Sequence, residues 1–402
     1  MNPHLARLHA YPFEKLAQLK HGIHSPAKKT PIVLSIGEPS HPAPHFIQEA
    51  MIAHLHGLAH YPITKGSVEL RETIAAWLIR RYGLPTEAID AEHHVLPVNG
   101  TREALFSIAH CVVDASAQPV VMMPNPFYQI YEGAALLAGA EPYYLATRPE
   151  NGFLPDFEAV PEAVWRRCQL LYVCSPGNPH GAVFDMDKYR QVLELAERYD
   201  FVIAADECYA ELYTDEQHPP LGLLQVAHAL GNSAFERCLV FHSLSKRSNV
   251  PGLRSGFVAG DAKLIARYLQ YRTYHGCAMS LPVQHASIAA WRDEAHVVAN
   301  RALYREKFHA VIEALQPVRA LAYPAGGFYL WMPVAPWRDT DFARALYAQE
   351  HVTVLPGSFL SRPGPDGVDP GAGFVRIALV PPLDECLDAA RRIERFFSTV
   401  TP

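Results

Sequence analysis

Short apolar runs alternate with amphipathic stretches through the middle of the chain. Runs at Val95–Val98, 119–123, 170–174, 201–205, 238–242 and 256–259 have the length and β-branched content of buried strands. Between them, 102–111, 128–138, Met186–Tyr199 and 262–274 place apolar residues at helical spacing. This alternation predicts an α/β fold with a mostly parallel central sheet covered on both faces. The ends read differently. A long helical pattern at 294–315 leads to a short strand at 328–332, then to helices near Asp339–Glu350 and 384–397. Both chain ends together predict a second, smaller α/β domain. The expected division is an N-terminal arm and part of the small domain at 1–45, a large domain at 46–290, and the small C-terminal domain at 291–402.

The chain has 402 residues, 49% hydrophobic and 19% charged, enough to bury a sizeable core. The formal net charge of -6 argues against nucleic acid or an anionic membrane surface as the main partner. No apolar run approaches the roughly 18 residues of a membrane helix, and the start shows no secretory pattern. Seven cysteines form no C-x-x-C pair, which reads as reduced thiols in a cytoplasmic protein and not a zinc site. The 34 prolines are dispersed, and only 361–373 (SRPGPDGVDPGAG) forms a polar Pro/Gly loop.

Four segments carry chemistry. The first is SLSKRSNVPGLRSGF, after the strand CLVFH. Lys246 at a strand end, among small hydroxyl residues, suits a Schiff base, provided burial or a nearby cation lowers its pKa. Ser243, Ser245 and Arg254 can bind an anion beside it. A solvated basic loop would look the same. The second is CSPGNPHG, where Asn178 follows a strand and can donate to a ring oxygen, or simply belong to a Pro/Gly turn. The third is ADECY, where Asp206 can pair with a protonated ring nitrogen and Tyr209 can reach the same ring, although a strand-end Asp is often a helix cap. The fourth is NGTREAL, where Gly100 and Thr101 open a helix whose free N–H groups suit a phosphate.

In this order the segments resemble the fold-type I, pyridoxal-phosphate-dependent aminotransferases, over essentially the whole chain. The resemblance rests on lysine followed eight positions later by arginine, an upstream N-P-x-G turn, and D-x-x-Y between them. It implies the cofactor pyridoxal 5'-phosphate, with Lys246 as its Schiff-base lysine and proton shuttle. It makes Asp206 the partner of the pyridine nitrogen. Tyr209 and Asn178 would hold the ring oxygen, and Tyr128 in PNPFYQIY would stack on the ring. Gly100, Thr101, Arg102, Ser243, Ser245 and Arg254 would form the phosphate cup. Tyr61 in YPITKGSVELR would reach the phosphate of a neighbouring subunit, which implies a homodimer with shared sites. Arg376 in FVRIAL would clamp the substrate α-carboxylate, and Gly37 in SIGEPSHPAP would line the substrate. One departure is His180, where the family's turn has threonine.

YPFEKL, GEPSHPAP, PNPFYQIYEGAALLAGAEP and HSLSKRSNVPGLRSGFVAGD further resemble the bacterial N-succinyl-LL-diaminopimelate aminotransferases of lysine biosynthesis. That reaction implies ping-pong exchange with glutamate/2-oxoglutarate, and a second cation for the distal carboxylate. No arginine lies between Arg272 and Arg292, where one subgroup of the family recruits a partner's arginine. Arg102 is the preferred candidate and Lys65 the second. The alternatives are another 2-oxoglutarate-coupled aminotransferase (aspartate, LL-diaminopimelate or aromatic/kynurenine type) and, more remotely, a pyridoxal-phosphate-binding regulatory domain.

Overall fold

The computed structural model describes residues 1–364 and 366–399. The N-terminal segment contributes one short strand, β1 (Ile32–Val33). Seven strands follow: β2 (Val95–Val98), β3 (Val120–Asn125), β4 (Glu141–Ala146), β5 (Cys168–Cys174), β6 (Val202–Asp206), β7 (Cys238–Ser243) and β8 (Gly256–Gly260). The C-terminal part adds β9 (Tyr329–Pro333), β10 (Val352–Thr353), β11 (Leu355–Pro356) and β12 (Phe374–Ala378).

Strands β2 to β8 form one sheet in the order β2-β8-β7-β6-β5-β3-β4. The pairs from β4 across to β7 are parallel, and β8 runs against both its neighbours. Successive residues of a strand point to opposite faces. Leu170, Tyr172, Leu239 and Phe241 therefore join one apolar layer, while Leu171, Val173, Ile203 and Val240 join the other. Burial on both faces explains why these strands read as unbroken apolar runs. The edge strand β4 was not among the expected strands. Its sequence, EPYYLA, is half exposed and carries a proline, so it shows no such run.

The smaller unit comes from both chain ends, as expected. β1 pairs in parallel with β10, and β11-β12-β9 form an antiparallel sheet. Ile32 and Leu34 share a core with Phe308, Leu330, Leu346, Ile377 and Phe396. Arg392 fastens the two ends together by donating to the carbonyls of Thr30 (2.7 Å) and Glu350 (3.0 Å). The long helix Ala295–Leu315 links the units. Arg301 near its start pairs with Glu216, and Lys307 two turns on donates to the carbonyl of Val380.

Candidate active site

In parallel sheets of this kind, ligands sit beyond the carboxyl ends of the strands. Register places Cys174 of β5 beside Asp206 of β6, and Asp206 beside Phe241 of β7, so three chain exits meet there. β7 stops at Ser243, whose Oγ accepts the N–H of Ser245 (3.0 Å) and caps the single helical turn Leu244–Arg247. That turn carries Lys246 to the sheet edge. Its amine donates to the carbonyl of Gly37 (2.5 Å) and lies 5.3 Å from the centre of the Phe328 ring. Burial lowers its pKa to about 8; Arg376 and Arg254 push the same way against Cys208 and Glu38. At pH 7 roughly a tenth of such an amine is free to act as a nucleophile.

Asp206 ends β6 and is 4% exposed. Burial raises its pKa, and hydrogen bonds oppose that shift. Tyr131 donates to Oδ2 (2.6 Å) and the Cys208 N–H donates to Oδ1 (3.2 Å). Tyr131 was not among the expected site residues. Its signal lay in PNPFYQIY: Tyr128 precedes the helix Gln129–Leu137, and three residues on a second tyrosine faces the same site.

Backbone N–H groups at the start of one helix suit an anion. Gly100 has φ +86° and precedes the helix Thr101–Val112, so the first N–H groups of that helix are free of internal partners. A Cβ on Gly100 would collide with Nη2 of Arg254. Arg254 is held by the carbonyls of Pro251 (3.0 Å) and Asn99 (3.4 Å).

Opposite stands Arg376 on β12, 5% exposed. Its guanidinium donates to Asn178 Oδ1 (3.0 Å) and the Ser35 carbonyl (2.8 Å), and lies 4.4 Å over the Tyr329 ring. Tyr329 and Tyr209 share a hydrogen bond of 3.1 Å between their hydroxyls. Gly37 is obligatory here, because a Cβ would overlap the Tyr329 hydroxyl. Tyr329 and Phe328 were also missed in the sequence.

One cavity of about 550 Å³ brings together Gly37, Thr101, Arg102, Tyr128, Asn178, Asp206, Tyr209, Ser243, Ser245, Lys246, Arg254 and Arg376. Arg102 stands at its exposed mouth, donating to the Tyr11 hydroxyl (3.0 Å). Two candidates lie outside this cavity. Tyr61 is fully exposed at 102%, and Lys65 is paired with Glu92. His180 is not among the residues lining this cavity. It stacks on Phe153 (5.6 Å), and its Nδ1 accepts the Ala182 N–H (3.1 Å).

The residues present suit pyridoxal phosphate. The cavity holds a buried amine, a buried carboxylate with two donors fixing its orientation, and a glycine-floored nest beside an arginine.

Residues 29–393 match the family model described as aminotransferase class I and II. An LL-diaminopimelate aminotransferase from Moorella thermoacetica is 30% identical over 374 residues, 92% of this chain and 91% of that one. The structure of an aminotransferase from Neisseria meningitidis superposes with TM-score 0.95 at 49% identity, covering 99% of this chain and all of its own (100%). That of a probable N-succinyldiaminopimelate aminotransferase from Thermus thermophilus gives TM-score 0.82 at 29% identity, with 96% and 99% covered. The chain therefore belongs to the class I and II aminotransferases and is a transaminase that works with pyridoxal 5'-phosphate.

Proposed function

We propose that this enzyme exchanges an amino group between N-succinyl-LL-2,6-diaminopimelate and 2-oxoglutarate/glutamate, by a ping-pong mechanism, in lysine biosynthesis. The observation that carries this reading is a pair of arginines on one cavity, Arg376 inside and Arg102 at the mouth. Both substrates carry an α-carboxylate and a distal carboxylate. Tyr11, Phe13 and Ile36 give the mouth apolar walls suited to the methylene chain between them.

When bound, the cofactor supplies an electron sink for the Cα–H bond of the substrate. The chain's own residues do the rest. Lys246 holds the cofactor and then carries a proton, which requires the free amine that burial favours. Asp206 holds the ring nitrogen in its protonated form, kept in place by Tyr131 and Cys208. Tyr209 and Asn178 hold the ring oxygen, and Tyr128 packs on the ring face. Gly100, Thr101, Ser243, Ser245 and Arg254 hold the phosphate together with the backbone N–H of Arg102, whose guanidinium stays at the mouth. Arg376 clamps the α-carboxylate and so fixes which Cα bond faces Lys246. The exposed Tyr61, beside exposed Leu58 and Ile63, supports a homodimer in which Tyr61 completes the partner's phosphate site. Lys65 has the weaker claim on the substrate, because Glu92 already neutralises it. Among the described residues no helix is long and apolar enough to cross a membrane, and the seven free thiols support work in the reducing cytoplasm.

A second reading has its own support. Glu38 lines the same cavity and suits the distal ammonium of LL-diaminopimelate, the substrate in the name of the Moorella relative. Half-reactions with single amino donors, followed by cofactor absorbance, separate the two. The first reading requires glutamate and N-succinyl-LL-diaminopimelate to react well, and Arg102→Gln to lose kcat/KM on both. Preferred turnover of free LL-diaminopimelate, weakened by Glu38→Gln and not by Arg102→Gln, would establish the second.

A further inference from the structure

Lys307 is 3% exposed, yet among the described residues its ammonium reaches no carboxylate. It lies 2.7 Å from His41 Nε2 and donates to the carbonyl of Val380 at 3.1 Å. Nothing in the transamination chemistry uses it. A buried cation held only by a neutral ring and a carbonyl carries a desolvation cost that no ion pair offsets.

The tautomer of His41 follows from its other neighbour. Nδ1 lies 2.8 Å from Asn300 Oδ1. That oxygen also accepts from Asn249 Nδ2 (2.9 Å), while Asn300 Nδ2 donates to the carbonyl of Lys246 (3.4 Å). An oxygen faces Nδ1, so Nδ1 carries the hydrogen and Nε2 presents its lone pair to Lys307. His41 is thus neutral, with both nitrogens used.

His41 closes the segment 35–41, which supplies acceptors to both functional cations. The Ser35 carbonyl takes a hydrogen from Arg376, and the Gly37 carbonyl takes one from Lys246. Asn300 and Lys307 both stand on the long helix Ala295–Leu315, seven residues apart, on one face. One helix face therefore grips His41 at both nitrogens and touches the backbone of the catalytic lysine.

We propose that Lys307 and His41 clamp segment 35–41 against the linking helix, holding the substrate-lining carbonyls in register with Lys246 and Arg376, and that protonation of His41 opens the clamp. Both are positioning residues. A proton on Nε2 removes the acceptor and sets two cations 2.7 Å apart in a part-buried site. The groups facing the pair bring no negative charge to neutralise it. The Tyr304 ring lies 4.6 Å from His41 and 5.1 Å from Lys307, and the Cys386 thiol on the C-terminal helix faces Lys307. Burial and neighbouring acidic residues push that thiol to about 12, so it stays neutral. Burial lowers both basic groups, Lys307 to about 8, and Lys307 depresses His41 further. The clamp is closed at neutral pH and releases as His41 takes up its proton in acid.

The test is hydrogen exchange in the peptide spanning 35–42 of the cofactor-loaded enzyme, with KM and kcat alongside. In wild type, protection of this peptide should fall about tenfold between about pH 7.5 and about pH 5.5, with the sheet unchanged. Lys307→Met should lose that protection already at neutral pH. It should raise KM for amino donor and oxo acid alike by about tenfold, with kcat changed much less. His41→Gln, whose amide oxygen accepts from Lys307 and does not titrate, should keep protection in acid. Unchanged protection in Lys307→Met, or equal loss in acid for wild type and His41→Gln, would overturn the clamp. If Lys307→Met does not fold, the comparison of wild type with His41→Gln across pH decides alone. The exchange readout does not depend on which amino acid is the substrate.

Discussion

Tyr131 donates its hydroxyl hydrogen to Asp206 Oδ2 at 2.6 Å, and both residues are buried. Tyr131 also stacks on Tyr172 at 4.6 Å, so its hydroxyl has little freedom to turn away. Burial drives Asp206 towards its neutral form, and this bond is one of the contacts that resist it. A neutral Asp206 cannot hold a ring nitrogen in its protonated state.

Tyr131→Phe should therefore weaken cofactor binding. A hydrogen bond to a carboxylate contributes about 1.5–3 kcal/mol, which sets a loss of roughly tenfold or more. The pKa of Asp206 rises further in the variant, so the loss should be larger at pH 6 than at pH 8. Fluorescence titration of cofactor into the cofactor-free protein measures this. Equal affinity of variant and wild type at both pH values would show that Tyr131 only fills space.

Arg376→Lys should act on both half-reactions alike, because every substrate brings an α-carboxylate. Lysine keeps the charge but loses the planar fork that now reaches Asn178 and Ser35 together. We expect kcat/KM to fall about 100-fold for donor and acceptor, equivalent to about 3 kcal/mol of charge-assisted hydrogen bonding. Steady-state kinetics with each substrate varied would check it. A loss confined to one substrate would place the α-carboxylate elsewhere.

Much of this arrangement was legible in the sequence because it is local. Asp206, Asn178 and Lys246 each follow an apolar strand within a few residues, and a strand buried on both faces is easy to read. What was hidden depends on contacts between distant parts of the chain. Tyr131 meets Asp206 across 75 positions, Tyr329 meets Tyr209 across 120, and Lys307 meets His41 across 266. No periodicity records such pairs. The strands β1, β10 and β11 have two residues each, too few to show an alternation. β1 and β10 exist because the chain ends pack together, and β11 because the chain returns beside it as β12.

Gly100→Ala probes the anion nest. At φ +86° an alanine is strained by about 1 kcal/mol or more, and its Cβ would displace Nη2 of Arg254. The stability cost should be modest, while affinity for free inorganic phosphate and for the cofactor should both fall, by about tenfold if one charge-assisted contact is lost. Calorimetric titration with each ligand separates the two effects. Reduced cofactor affinity with unchanged phosphate affinity would move the phosphate group away from Gly100.

His180 predicts an acid-labile fold. Its Nδ1 accepts the Ala182 N–H, its ring stacks on Phe153, and burial lowers its pKa from 6.5 to about 4. The sign follows from proton uptake. Between pH 6.5 and about 4 the unfolded chain binds a proton on this ring and the folded chain does not, so stability is lost as pH falls through that window. Protonation also destroys the acceptor that holds Ala182. The window limits the effect to about 3 kcal/mol at pH 4. His180→Thr places in the turn the residue usual in the family and removes the titration. Urea unfolding of the cofactor-free protein should show wild type losing more stability than His180→Thr between pH 7 and pH 4.5, with the two converging towards parallel curves above pH 7. Parallel curves over the whole range would mean that the ring is already protonated, or released, in the folded protein.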